Sequence, residues 1–201
     1  MLTIGLTGPS GAGKGVVSAI LAEYGVPSID TDAVYHELLV PPSACLDELS
    51  ARFGASILNE DGTLNRKALA ALVFSPGREA ELADLNRIAH RHILAETRRR
   101  LAFFEAEGRR AAAVDAPQLF ESGFDAECDR ILAVLAPYEA RLARVLRRDG
   151  ITEAQAVARL NAAHPDAFFR ERADAILWNE GEIGELDGEI RELLSAWEVL
   201  P

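Results

Sequence analysis

The stretch Leu2–Leu21, LTIGLTGPSGAGKGVVSAIL, constrains what this chain can fold into more than any other. It opens with Leu2, Ile4 and Leu6, interleaved with Thr3, Gly5 and Thr7, which reads as a buried strand. Gly8-Pro9-Ser10-Gly11-Ala12-Gly13-Lys14 follows, with glycines and a lysine at the spacing of a phosphate-binding loop. Behind it Val17, Ile20, Leu21 and Tyr24 recur at helical spacing, and Gly25 is placed to end that helix. Each part has a physical task. Glycines let the backbone curl until several N–H groups converge on one anion. The helix N-terminus adds partial positive charge, and Lys14 reaches the β- and γ-phosphates as a point charge. Gly8, Gly11, Ala12, Gly13, Lys14, Gly15 and Val16 are therefore the expected nucleotide contacts. Gly15 stands where Ser or Thr normally places a hydroxyl on Mg²⁺.

A net charge of −11 over 201 residues argues against nucleic acid as a partner, so positive groups that meet a polyanion must be concentrated locally. The length suffices for one α/β core carrying a sizeable inserted subdomain. Cys45 and Cys128 match no metal-ligand spacing and read as buried or idle thiols in a reducing compartment. No apolar stretch approaches the ~18 residues of a membrane span. No basic region precedes the first apolar run, so neither membrane nor signal peptide is expected and the cytoplasm is the expected location.

Along the chain, Val26–Ile29 reads as a second strand that delivers Asp30-Thr31-Asp32 at its carboxyl end, where α/β sheets place ligands. Asp32 is the expected N-cap of a helix running to Leu39 and stopped by Pro41-Pro42. The next seventy residues read as helical and without strands. Ser43 caps one helix closed by Gly54, and Asn65 caps Arg66–Phe74. A long helix follows with Leu82, Leu85, Ala89, His92, Ile93, Leu101 and Phe104 roughly on one face, ending near Gly108. Strand character returns at Ala111–Val114, Arg130–Ala136 and Ala175–Trp178. Between the last two, helices start near Pro137, Thr152 and Pro165, and Gly184–Trp197 closes the chain.

Asp30 and Asp32 are placed to work on a phosphate: a carboxylate there accepts the proton of an attacking hydroxyl. Arg141, Arg144 and Arg148 share one helix face, the local positive concentration anticipated above, and suit a lid closing on triphosphate. Arg147 reads equally as solvated, and Arg98-Arg99-Arg100 spreads around its helix and reads as surface. Asp115 ends a buried strand where acidic residues hold Mg²⁺ through water, and Glu121 emerges at the same edge. Asn86 and His90 lie one turn apart on the long helix, candidates to face a substrate.

Taken together, GLTGPSGAGKG, IDTDAVYHELL, FGASILNEDGTLNRKALAALVF, LNRIAHRHI, VDAPQLFESGFD, EARLARVLRRDGIT and RADAILWNEG resemble, in order and spacing, the dephospho-coenzyme A kinases across nearly the whole chain. The resemblance implies an α/β, three-layer phosphate-loop kinase fold with a five-stranded parallel sheet, a helical substrate-binding insertion and a helical lid. It divides the chain into a nucleotide-binding core (1–32, 109–136, 174–201), a dephospho-CoA domain (33–108) and a lid (137–173). It implies ATP-dependent phosphorylation of the ribose 3′-hydroxyl of dephospho-CoA, with ATP as co-substrate and Mg²⁺ as cofactor, in a monomer or small homo-oligomer. Asp32 then matches the family's proposed base; Lys14 and Arg144 are catalytic. Arg141 and Asn179 contact nucleotide, Asp30, Asn86, His90 and Glu121 contact dephospho-CoA, and Asp115 serves the metal. Four positions depart from the family: Gly15, Arg91 for proline, and Ala163 and Phe169 for lid Gln and Lys. The loop and lid alone fit a kinase of another metabolite hydroxyl equally, and the departures would suit a nucleotide-binding homologue with impaired catalysis; the helical block's motifs favour dephospho-CoA.

Overall fold

Apolar strands alternating with helices bury both of their faces most readily in a parallel sheet. The computed structural model, which describes residues 1–180 and 183–200, has that arrangement. Strands β1 (Leu2–Thr7), β2 (Ser28–Asp30), β3 (Ala111–Asp115), β4 (Arg130–Leu135) and β5 (Ala175–Trp178) form one parallel sheet in the order β2-β3-β1-β4-β5. The helices are α1 (Lys14–Glu23), α2 (Thr31–Leu38), α3 (Ala44–Phe53), α4 (Arg66–Val73), α5 (Glu79–Ala106), α6 (Tyr138–Asp149), α7 (Glu153–Asn161), α8 (Asp166–Arg170) and α9 (Ile183–Ala196). Leu6 of central β1 registers with Asp115 of β3 on one side and Leu132 of β4 on the other. The connections run outward from β1 to β2 and then return past it to β4. The carboxyl end of β1 is thus the switch point where open α/β sheets take ligands. Gly181, in the RADAILWNEG motif, lies outside the described residues.

The chain forms two compact units, Thr31–Arg100 and the remainder, with the boundary falling inside α5. In the sheet unit, Ile4, Leu6, Leu132, Val134 and Leu177 meet Val17, Ile20 and Leu21 of α1 and Ile190 and Leu194 of α9 in one buried cluster. Alternate residues point to the opposite face, where Ala133 and Leu135 pack with Phe169, Phe168 and Phe120. Phe169 is only 4% exposed, and its ring meets Phe168 edge-on at 5.4 Å. A lysine here would have to withdraw its ammonium from an apolar layer. The departure at Phe169 is therefore part of the packing of α8. On this same face Leu119 covers β1, and it does so because Gly5 has no side chain: a Cβ there would stand 2.8 Å from Leu119.

The helical unit buries Cys45, Leu46, Leu49, Ile57, Leu69, Val73, Leu85 and Ile88. Its caps follow the sequence. Ser43 Oγ accepts from Leu46 N at 3.2 Å, and Asn65 Oδ1 accepts from Ala68 N at 3.0 Å. Two details differ from expectation. Leu58 and Leu64 make an isolated antiparallel bridge in a block read as strandless. Asp32 lies inside the first turn of α2 and does not cap it, because β2 ends at Asp30 and the helix begins at Thr31 with no intervening loop. A carboxylate there still complements the helix dipole. Arg91 bonds Glu48 of α3, and His92 Nε2 lies 2.8 Å from the same carboxylate. No described helix is long and apolar enough to cross a membrane.

The arginine run is not simply surface. Arg99 donates twice to Glu96, at 2.7 Å each, and half-buried Arg100 donates to Glu96 at 2.8 Å and to Glu37 of α2. Arg99 first, then Arg100, hold the Glu96 carboxyl down at about 2. Burial acts the other way on the thiols, raising Cys45 to about 11 and Cys128 to about 12. A carboxyl depressed in the folded state contributes stability above its unfolded value and loses it as pH falls through its folded value. For Glu96 that window runs from about 4.5 down to about 2. Urea unfolding of wild type and Glu96→Gln at a series of pH values should show the wild-type advantage shrinking across that window. An advantage constant with pH would mean that the three hydrogen bonds are unloaded.

Candidate active site

The loop after β1 is held where its glycines permit. Gly8 (φ 139°) and Gly13 (φ 104°) occupy backbone conformations that L side chains rarely adopt. A Cβ on Gly8 would stand 2.1 Å from the Val134 carbonyl oxygen, and one on Gly13 would stand 2.0 Å from Asn179 Nδ2. The loop therefore lies directly against β4 and the segment leaving β5. Ala12 is fully buried and its N–H donates to the Pro9 carbonyl at 3.2 Å, which closes the turn. Lys14 Nζ donates to the Gly8 carbonyl at 3.1 Å, so the side chain folds back over the loop. The first N–H groups of a helix have no intrahelical acceptors, and at α1 these belong to Lys14 and Gly15, while Val16 N–H already donates to the Gly13 carbonyl at 3.0 Å. Gly15 and Val16 are exposed. Such a terminus suits an anion.

Carboxylates flank this edge. Asp30 and Asp115 are register partners at the carboxyl ends of β2 and β3. Asp115 is half-buried, and the next residue, Ala116, donates its N–H to Leu6 carbonyl at 3.0 Å. Asp32 follows Asp30 by two residues and is exposed. Among the described residues no three His, Cys, Asp or Glu side chains group closely enough to hold a metal. A cation recruited here would draw on Asp115, phosphate oxygens and water, a donor set that suits a small hard ion which keeps part of its hydration.

The arginines of α6 do not act as one stripe. Arg141 is 9% exposed, its Nε has no hydrogen-bond partner among the described residues, and its guanidinium lies 5.9 Å from the Tyr138 ring centroid. Arg144 turns onto the loop: Nη1 donates to the Gly11 and Ala12 carbonyls at 3.3 and 3.2 Å, and Nη2 to Asn179 O and Oδ1 at 3.1 and 3.3 Å. Arg148 is exposed and bonds its neighbour Asp149 at 2.6 Å, while Arg147 is exposed. Shared helical phase put the three together in sequence; burial and the competing Asp149 separate them. Asn179, 6% exposed, donates from Nδ2 to the Ala12 carbonyl at 2.7 Å.

Glu121 is exposed and lies 2.8 Å from His164 Nε2, at the rim of a groove of about 490 Å³ that Phe120 and Arg172 also line. His164 was not anticipated; it stacks on Phe168 at 3.8 Å, and only its place beside the departure at Ala163 marked the region. Asn86 is exposed and His90 half-buried, one turn apart on α5.

A parallel sheet with a lysine-bearing glycine loop at its switch point is the fold of phosphate-loop kinases. A solved shikimate kinase from Acinetobacter baumannii shares it at 19% identity with a TM-score of 0.51, covering 98% of this chain and 94% of that one, a likeness of fold alone. The family description "Dephospho-CoA kinase" matches residues 2–185. Curated dephospho-CoA kinases of Corynebacterium efficiens and Anaeromyxobacter dehalogenans are 37% and 38% identical, over 97% of this chain and 96% and 92% of theirs. A crystal structure from Thermus thermophilus aligns with a TM-score of 0.79 at 31% identity, covering 97% of each chain. This chain belongs to the dephospho-CoA kinase family.

Gly15 differs from its loop neighbours in having room. A Cβ there would meet nothing within 4 Å, and its φ lies outside the left-handed range. Serine at a helix position is favoured over glycine by about 0.5 kcal/mol. Gly15→Ser should therefore melt at or slightly above the wild-type temperature in a thermal scan; a lower melting temperature would reveal a constraint on α1 that the backbone does not show.

Proposed function

We propose that this protein transfers the γ-phosphoryl group of ATP to the ribose 3′-hydroxyl of dephospho-CoA, giving CoA and ADP, in the cytoplasm. The observation that carries the reading is the extent of the likeness. It runs over residues 2–185 and so includes the helical unit, not only the generic loop. In this reading 33–108 takes the acceptor and 137–173 acts as lid.

The chain's residues divide the work as follows. Loop N–H groups and Lys14 hold the triphosphate. Arg141 supports the site as a buried cation whose open Nε is best satisfied by an anion. Asp32 accepts the proton of the acceptor hydroxyl as the new O–P bond forms and the bond to the β–γ bridging oxygen breaks, with ADP leaving. Asp30, Asn86, His90 and Glu121 are assigned to the acceptor. Mg²⁺, when bound, neutralises charge on the phosphates; Asp115 is its protein-side partner through water.

Incubation with dephospho-CoA, ATP and Mg²⁺ should add one phosphate to the acceptor, read by mass spectrometry. Transfer to other hydroxyl acceptors but not to this one would overturn the substrate, and tight ATP binding without turnover on any acceptor would overturn the activity. Asp32→Asn should lower kcat by about 10²–10⁴-fold with ATP affinity nearly unchanged; full turnover would confine the carboxylate to the helix dipole. Gly15→Ser should reach half-maximal rate at lower Mg²⁺ than wild type, since it restores a hydroxyl ligand. Identical Mg²⁺ dependence would mean that the missing hydroxyl is of no consequence here.

A further inference from the structure

The amide of Asn179 and the guanidinium of Arg144 converge on one atom, the carbonyl oxygen of Ala12, at 2.7 and 3.2 Å. They are also bonded to each other, through Arg144 Nη2 to Asn179 Oδ1 and to its backbone carbonyl. Asn179 is itself fixed, its N–H donating to Leu135 carbonyl at 2.7 Å as β4 and β5 end. These groups come from three places in the chain, the end of β5, the middle of α6 and the loop.

A trans peptide is planar, with its C=O and N–H pointing in opposite directions. Holding the Ala12 carbonyl toward Asn179 and Arg144 therefore turns the Gly13 N–H away from them. With Gly13 at φ 104° the flanking torsions are permissive, since glycine takes positive and negative φ alike, so the plane has no strong preference of its own. A loop with freely rotating peptide planes binds an anion poorly, because each plane must be ordered at binding. We propose that Asn179, braced by Arg144, is a positioning residue that presets the Ala12–Gly13 peptide so that the Gly13 N–H faces the bound phosphate. The inference rests on the nucleotide-binding reading of the loop and is independent of which hydroxyl accepts the phosphoryl group. Asn179 then acts on phosphate through the backbone and does not read the base. Arg144 is spent on the loop and Asn179, whereas Arg141, buried with an open Nε, keeps capacity for ligand.

The test separates phosphate from base. Dissociation constants for ADP and for inorganic tripolyphosphate are measured by calorimetry on wild type, Asn179→Leu and Asn179→Ala, with a melting scan of each unliganded protein. Leucine keeps the volume and removes the donor. Both variants should weaken tripolyphosphate and ADP in parallel, by about tenfold, the equivalent of one buried hydrogen bond. If Asn179 contacts the base, ADP weakens while tripolyphosphate does not, and the proposal falls. If its role is only to fill space, leucine binds both ligands like wild type, and it falls equally. Should both variants melt below the assay temperature, Arg144→Met, with Asn179 intact, is read instead. It should weaken both ligands together, and unchanged tripolyphosphate binding there overturns the proposal. Failure of dephospho-CoA as acceptor would leave these affinities unaffected, so the two readings fail separately.

Discussion

Contact between the glycine loop and the strand ends beside it governs the arrangement of the sheet unit. Gly8 sits against the Val134 carbonyl and Gly13 against the Asn179 amide at distances that leave no room for a methyl group. Loop backbone is thus packed on strand backbone at Gly8 and on a side-chain amide at Gly13, and the N–H groups of the α1 terminus are gathered there. Everything else in this unit keeps that contact in place. Ala111 and Ala113 of β3, paired with β1, join the cluster with α1 and α9, Leu119 fills the space above Gly5, and Phe169 seals the face beneath α8.

The electrostatics follow from the same economy of space. A chain of net charge −11 does not attract a polyanion through its overall field. It relies on dipoles and a few cations in a confined volume, where a charge-assisted hydrogen bond contributes about 1.5–3 kcal/mol against well under 1 for an exposed ion pair. Most arginines here are neutralised elsewhere, in pairs such as Arg52 with Asp84, Arg99 and Arg100 with Glu96, and Arg159 with Asp149. Arg141 and Arg144 are the exceptions on α6 that turn inward.

The parallel sheet, the helical block and most helix starts were legible, because periodicity, caps and glycine stops are local signals. The phosphate loop was legible for the same reason. The Asn179–Arg144–Ala12 contact was not: its members are 35 and 167 residues apart along the chain, and no spacing rule joins them. Helical phase grouped Arg141, Arg144 and Arg148 correctly on one helix, but phase does not report burial, which separated them. Phe169 looked like the loss of a lid cation until β4 was seen beneath it, and the run at Arg98 looked solvated until Glu37 and Glu96 were found beside Arg100.

The two thiols carry a consequence for chemistry with coenzyme A, whose pantetheine arm ends in a thiol of its own. Disulfide exchange needs an accessible thiolate on one partner. Burial raises Cys45 to about 11 and Cys128 to about 12, so both thiols are held in the protonated form at neutral pH. Cys45 has no exposed surface, and half-buried Cys128 directs its S–H to the Phe124 carbonyl oxygen, 3.4 Å away. A protein that works on a thiol coenzyme thus presents it with two cysteines that are held protonated by their own burial.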